Sequence, residues 1–206
     1  MSEEKTEKKT EKKKKAKNEP EIKLFGKWSL DGIEVRDPGL RAYICLKPIY
    51  LPHSFGRHAK RRFQKANVNI VERLANKLMR KGKNTGKKYK ALKIVENALQ
   101  MIELETGENP VQVLVRAIEN SAPKMETTRV MYGGIVYRKA VDVSPQRRLD
   151  LALRFIAEGA SLRSFSSIKS IDECLFEEIL YAANNDRRSY AIQRKNEIER
   201  IARSAR

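Results

Sequence analysis

The stretch NPVQVLVRAIENSAPKMETTRVMYGGIVYRKAVDVSPQRRLDLALRFI, residues 109–156, changes its hydrophobic period twice in 48 positions. Asn109 is a helix cap and Pro110 suits the first helical position, after which Val111, Leu114, Val115 and Ile118 recur at helical steps up to the breaker Pro123. From Thr127 to Val143 the period falls to two, in a run rich in Thr, Val, Ile and Tyr. One pair, Gly133-Gly134, interrupts that run, and it suits a two-residue hairpin turn. Such a turn sets Tyr132 opposite Ile135, Met131 opposite Val136, Val130 opposite Tyr137, and Arg129 opposite Arg138. A slipped register or a longer turn is the alternative. Ser144-Pro145 then restarts a helix, with Leu149, Leu153 and Ile156 facing a core. The stretch therefore reads as helix, hairpin, helix.

Outward from this centre the helical period continues. Upstream, Ala66–Lys81 carries one apolar stripe ended by Gly82, and Lys87–Thr106 carries another ended by Gly107. Downstream, Ser170-Ile171-Asp172-Glu173 is a capping box leading into Leu175, Ile179 and Ala182, and a basic amphipathic helix runs from about Ser189 to the end. The fold class is mainly α, a six-helix domain with one β-hairpin at about 126–143. Residues 20–56 form an irregular N-terminal extension, with Asp31-Gly32 as a turn and Pro38, Pro48 and Pro52 as breakers. Residues 1–19 hold eight Lys, five Glu and almost nothing apolar, so a disordered basic tail is expected there, ahead of a helical domain over 57–206.

Charge separates the function classes. The 206 residues carry a net +18, and 34% of them are charged against roughly a quarter in typical domains. That excess is concentrated. Arg57 to Lys93 holds fourteen Lys or Arg and a single acid, Glu72, whereas residues 94–123 sum to −4 and 155–185 to −3. Fourteen cations so placed repel one another unless a polyanion covers them. Within HSFGRHAKRRFQK, residues 53–65, the rings of His53, Phe55, His58 and Phe63 alternate with Arg57, Lys60, Arg61, Arg62 and Lys65. Bases can stack on such rings while phosphates meet the cations. Phe63 could equally anchor the core.

Other chemistries find little support. GKNTGKK, residues 82–88, has three residues between its glycines where a phosphate-binding loop has four, and Lys88 stands where that loop needs Ser or Thr. It reads better as a basic interhelical loop touching backbone phosphates. Cys45, His53 and His58 are too few and too loosely spaced for structural zinc, so no metal and no cofactor are expected. Two histidines and no nucleophile in a recognisable setting argue against an enzyme. No apolar run approaches the ~20 residues that span a bilayer, the first twenty residues lack the apolar core of a secretory signal, and two cysteines 129 positions apart suggest a reducing cytosol.

Four segments carry a resemblance to a known family: HSFGRHAKRRFQKANVNIVERLANKLMRKGKNTGKK, TGENPVQVLVRAIENSAPKMETTRVMYGGIVYRKAVDVSPQRRLDLALRFIAEGA, SIDECLFEEILYAANN and SYAIQRKNEIERIARSAR. Together they resemble the seventh small-subunit ribosomal protein in its archaeal and eukaryotic branch, over about residues 20–206. The resemblance implies a mostly helical, cytoplasmic protein with a protruding hairpin, which binds small-subunit rRNA early and nucleates assembly of the subunit head beside neighbouring ribosomal proteins. It implies RNA contacts from the Arg-rich loop, from Lys83, Lys87 and Lys88 of GKNTGKK, from Arg147 and Arg148, and from Arg194 and Lys195 on the last helix. It also implies that the hairpin tip, with Arg129, Tyr132, Gly133, Gly134, Tyr137 and Arg138, lies near the exit-site tRNA and the mRNA path. The Lys-rich tail and the stretch to about Tyr50 have no counterpart in the shorter bacterial relatives. Two other classes stand as alternatives, an RNA-modifying enzyme with a basic platform and a helix-turn-helix DNA-binding protein. The first needs a cofactor loop or an acid-base pair, and the second a compact recognition helix.

Overall fold

A computed structural model describes residues 22–205 except Arg57, Ala59, Arg80 and Lys81, and the backbone alone of Lys83. The tail expected over residues 1–19 lies outside the described residues. Among the described residues, seven α-helices and one hairpin follow in order: α1 Pro38–Arg41, α2 Ile70–Leu78, α3 Lys88–Thr106, α4 Pro110–Ser121, β1 Met125–Tyr132, β2 Ile135–Asp142, α5 Pro145–Ser164, α6 Ile171–Ala183 and α7 Tyr190–Ser204. Six of these helices are those read from the hydrophobic period. The additional one, α1, is a single turn started by Asp37, whose side chain accepts from the Gly39 amide at 2.8 Å, and four residues are too few to show a period.

Chain chemistry fixes the helix ends. Asn69 and Asn109 each accept from the amide two residues on, Gly107 closes α3 at φ +66, and both bonds of the Ser170/Glu173 capping box are present. α2 begins at Ile70 rather than Ala66, because Asn69 caps it and Gln64–Asn67 forms a 3-10 turn instead. α6 packs on α3, α4 and α5, and its Leu175 and Ile179 are fully buried with Leu99, Leu114, Ile118, Leu153 and Ile156.

The irregular stretch before α2 shares that core through Leu24, Trp28, Leu30 and Leu40. Its polar groups are satisfied by side chains of the helices. Gln112 bonds both the amide and the carbonyl of Glu34, Glu119 accepts from the amides of Arg36 and Asp37, and Trp28 Nε1 donates to Glu103 at 2.9 Å.

The two strands pair antiparallel in the register of a two-residue turn, Tyr132 with Ile135 through Arg129 with Arg138. Gly133 and Gly134 stand at φ +55 and +82, the doubly left-handed turn that matches strand twist and excludes most side chains. Residues 128–139 are exposed on both faces, so the ribbon projects beyond its base, which rests on α7.

Candidate nucleic-acid interface

The single acid of the basic block is buried. Glu72, on the first turn of α2, is 2% exposed and accepts from the Ser54 amide at 3.1 Å, the Ser54 hydroxyl at 2.8 Å and the Lys88 ammonium at 2.5 Å. Burial alone would raise its carboxyl, but the hydrogen bonds from Lys88 and Ser54 outweigh burial and hold it below its ordinary value. Ser54 Oγ also lies 2.7 Å from His58 Nε2. One carboxylate thus pins the start of the Arg-rich loop and the end of the GKNTGKK loop to the same helix.

A second carboxylate gathers cations from α2 and from the 3-10 turn before it. Asp150 of α5 faces Arg73 at 3.1 Å, Lys65 at 3.4 Å and Lys77 at 3.6 Å. Burial raises its carboxyl, and the opposed attraction of Lys77, Arg73 and Lys65 leaves it lowered overall. Three cations on one acid leave the site net positive. Asp150 and Lys77 also join two clefts. One, of about 270 Å³, reaches His58 and Asn76, and the other, of about 440 Å³, is lined by Ser144, Gln146, Arg147 and Arg154. The result is a furrow between α2 and the N-terminal half of α5, in which Lys65, Arg73, Lys77, Arg147 and Arg154 surround one lining acid, Asp150, while Arg147 and Arg154 also pair with Glu126 and Glu158.

The residues assigned to RNA from the sequence fall into distinct settings. Lys60, Arg61 and Lys87 are exposed and make no ion pair among the described residues. Arg62 lies over the Phe63 ring at 5.1 Å, and Phe63, 51% exposed, is not a core anchor. Lys65 lines the furrow. Arg147 grips Glu126 of β1 through two bonds of 2.6 Å, tying the start of α5 to the hairpin base. Lys88 on Glu72 and Arg148 on Asp37, at 2.6 Å, are largely buried and neutralise acids inside the chain. Burial raises the Asp37 carboxyl, and bonds from Arg148 and the Gly39 amide bring it below its ordinary value. Arg194 pairs with Glu197, and Lys195 donates to the Asn120 carbonyl at 2.8 Å, both on α7, which contributes nothing to the furrow. Arg57 and the Lys83 side chain lie outside the described residues.

At the hairpin, Arg129 and Arg138 oppose one another directly, and Tyr132 and Tyr137 are 78% and 55% exposed. Like charges opposite one another on a ribbon are unfavourable by up to ~1 kcal/mol, which an anionic group between the guanidiniums would reverse.

Five polar or charged furrow residues were not singled out from the sequence: Arg73, Asn76, Lys77, Asp150 and Arg154. Arg73 and Lys77 could have been found, because they stand four apart within the basic block and share a helix face. Cys45 and Cys174 are buried. Among the described residues no group of His, Cys, Asp or Glu converges as metal ligands would, and no helix is long and apolar enough to cross a membrane.

Comparison with known proteins adds the remaining evidence. The family model described as ribosomal protein S7p/S5e matches residues 40–206. The chain is 58% identical over 182 residues to small ribosomal subunit protein uS7 of Methanothermobacter thermautotrophicus, covering 88% of this chain and 98% of the relative. It is 56% identical over 184 residues to the protein of that name from Methanosphaera stadtmanae, covering 89% and 98% of the two chains. Against that of Methanococcus maripaludis it is 54% identical over 187 residues, covering 90% and 100%.

Proposed function

Because the chain belongs to the ribosomal protein S7p/S5e family, and is thereby a structural, non-enzymatic component of the small subunit of the cytoplasmic ribosome, we propose that it binds small-subunit rRNA directly and organises the subunit head around it. The observation that carries this reading is the furrow, where three cations share Asp150 and more line the walls. The furrow is an open groove, suited to a nucleic-acid backbone, and its excess charge is what a phosphate run would neutralise. Lys60, Arg61, Arg62 and Lys87 extend the same surface along loops that Glu72 holds together. In this reading the hairpin, with its opposed arginines and exposed tyrosines, reaches towards the exit-site tRNA and the mRNA path, and neighbouring small-subunit proteins cover faces that RNA leaves free.

The test is the salt dependence of binding to a small-subunit rRNA transcript. Each phosphate contact contributes roughly −0.7 to −0.9 to the slope of log K against log salt. Changing Lys60, Arg61, Arg62 and Lys87 to Glu is expected to weaken binding steeply and to flatten the slope by about 3. Lys88 stays unchanged because its charge neutralises Glu72. Binding by the quadruple variant with wild-type affinity and slope would overturn the proposal.

A further inference from the structure

The sequence offers four rings in the Arg-rich loop, and the structure separates their roles. The His58 ring is engaged by Ser54 Oγ, and a guanidinium lies over the Phe63 ring. Phe55 is different. It is 77% exposed, and its backbone is held at φ +49, a left-handed conformation that bulky residues adopt only when their surroundings impose it. Phe63 is likewise exposed and left-handed, at φ +61, so what sets Phe55 apart is the stack of rings behind it.

The surroundings build a short ladder of rings. Phe55 stacks on His53 with centroids 3.8 Å apart and planes at 29°, and the Phe55 amide donates to His53 Nδ1 at 3.2 Å. Tyr89, from the first turn of α3, lies on His53 at 5.6 Å and 34°. Both strands of this ladder are fixed by one carboxylate, since Ser54 follows His53, Lys88 precedes Tyr89, and both bond Glu72. Gly56 closes the loop tightly, for a Cβ there would lie 3.0 Å from the His58 ring. The outermost ring therefore rests with one face on His53 and leaves the other open to solvent.

We infer that Phe55 is the outer plate of a preorganised stacking platform that takes one unpaired nucleobase of RNA. The inference rests on the RNA-binding reading above and adds a site to it. A base is favoured over an apolar protein side chain by charge, because the platform stands at the edge of a block with fourteen cations and one acid. Lys60, Arg61 and Arg62 follow it in the same loop, and Lys87 sits beside Lys88, so the phosphates flanking a stacked base meet cations. The stack matters because a ring already seated on a neighbour loses less freedom on binding than a free one.

The experiment uses the full chain and two probes of equal phosphate number, an oligoadenylate RNA nonamer and a nonamer of abasic spacers, with dissociation constants measured at several salt concentrations. Wild type is expected to prefer oligoadenylate by about 5- to 150-fold, the range that one base stacked on an aromatic ring contributes. Phe55→Leu is expected to abolish the preference while keeping the salt slope, and Phe55→Trp to retain it and to show emission quenched by oligoadenylate alone. Equal binding of both probes by wild type, or a preference that survives Phe55→Leu, would overturn the platform and leave the furrow standing. Equal weakening towards both probes in Phe55→Leu would likewise overturn it, since the ring would then only hold the loop. Binding of neither probe by wild type would overturn the RNA-binding reading together with the platform.

Discussion

Glu72→Gln removes one charge from a site that is 2% exposed and changes little in shape. The carboxylate accepts three kinds of donor, the Ser54 amide, the Ser54 hydroxyl and the Lys88 ammonium. All three meet the same oxygen, Oε1, so the amide oxygen of Gln can still accept from them, but it brings no charge to oppose the Lys88 ammonium, and its NH2 group meets the Ser54 amide as donor against donor where Oε2 accepted at 3.2 Å. Hydrogen bonds to charged groups contribute about 1.5–3 kcal/mol each, and breaking a fully buried ion pair costs roughly 3–5 kcal/mol. Lys88 retains 18% side-chain exposure, so water recovers part of that loss, and about 2–4 kcal/mol is expected. With a urea m-value of roughly 2–3 kcal/mol/M, the denaturation midpoint should fall by about 1 M. The same carboxyl gives a pH signature. Its folded value lies below the ordinary 4.5, so its stabilisation is complete above 4.5 and is lost as pH falls through the lower folded value. Asp150 and Asp37, lowered from 3.8, act in the same sense, their stabilisation being complete above 3.8. The Gln variant should therefore lose stability less steeply than wild type below pH 4.5. A midpoint unchanged within 0.2 M (about 0.5 kcal/mol), or an acid limb as steep as that of wild type, would refute the role given to Glu72.

Gly159 lies where α5, α6 and α7 meet, and a Cβ there would stand 2.9 Å from both Glu178 Cδ and Tyr190 Cβ. Overpacking of roughly 1–3 kcal/mol outweighs the ~1 kcal/mol that Ala gains over Gly in a helix, so Gly159→Ala should lower the melting temperature, and a rise would show that the three helices can spread freely. Arg138→Thr relieves the repulsion with Arg129 and suits a strand, so hairpin amides in the free protein should exchange up to ~5-fold more slowly, while contacts with RNA at the tip weaken. Faster exchange would contradict the opposed register.

Local chemistry was the legible part of the fold. Gly133-Gly134 marked a two-residue turn, and of the registers left open the strands take the one that turn sets, with both glycines at positive φ. Asn69, Asn109, Ser170 and Gly107 mark helix ends through bonds made within a few positions. Long-range pairing was not legible. Glu34, Arg36 and Asp37 fall in a stretch without a period, and their backbone is satisfied by Gln112 and Glu119, some eighty positions away in the chain. For the same reason Lys88 and Arg148 read as members of a cationic surface, while the fold gives each an acid partner from another element. The basic block announced a polyanion from composition alone. That its only acid anchors two loops, and that Tyr89 completes a ladder with His53 and Phe55, follows from tertiary packing that no spacing encodes.

The claim at the centre of the account is that this chain holds one place on small-subunit rRNA. Ultraviolet crosslinking of the protein in cells, followed by sequencing of the attached RNA, tests it most directly. A single cluster of crosslinks within the small-subunit rRNA is expected, with the attached peptides drawn from the loop before α2, the furrow between α2 and α5, and the hairpin. Crosslinks scattered over messenger RNAs or DNA, with no peak in that rRNA, would contradict it.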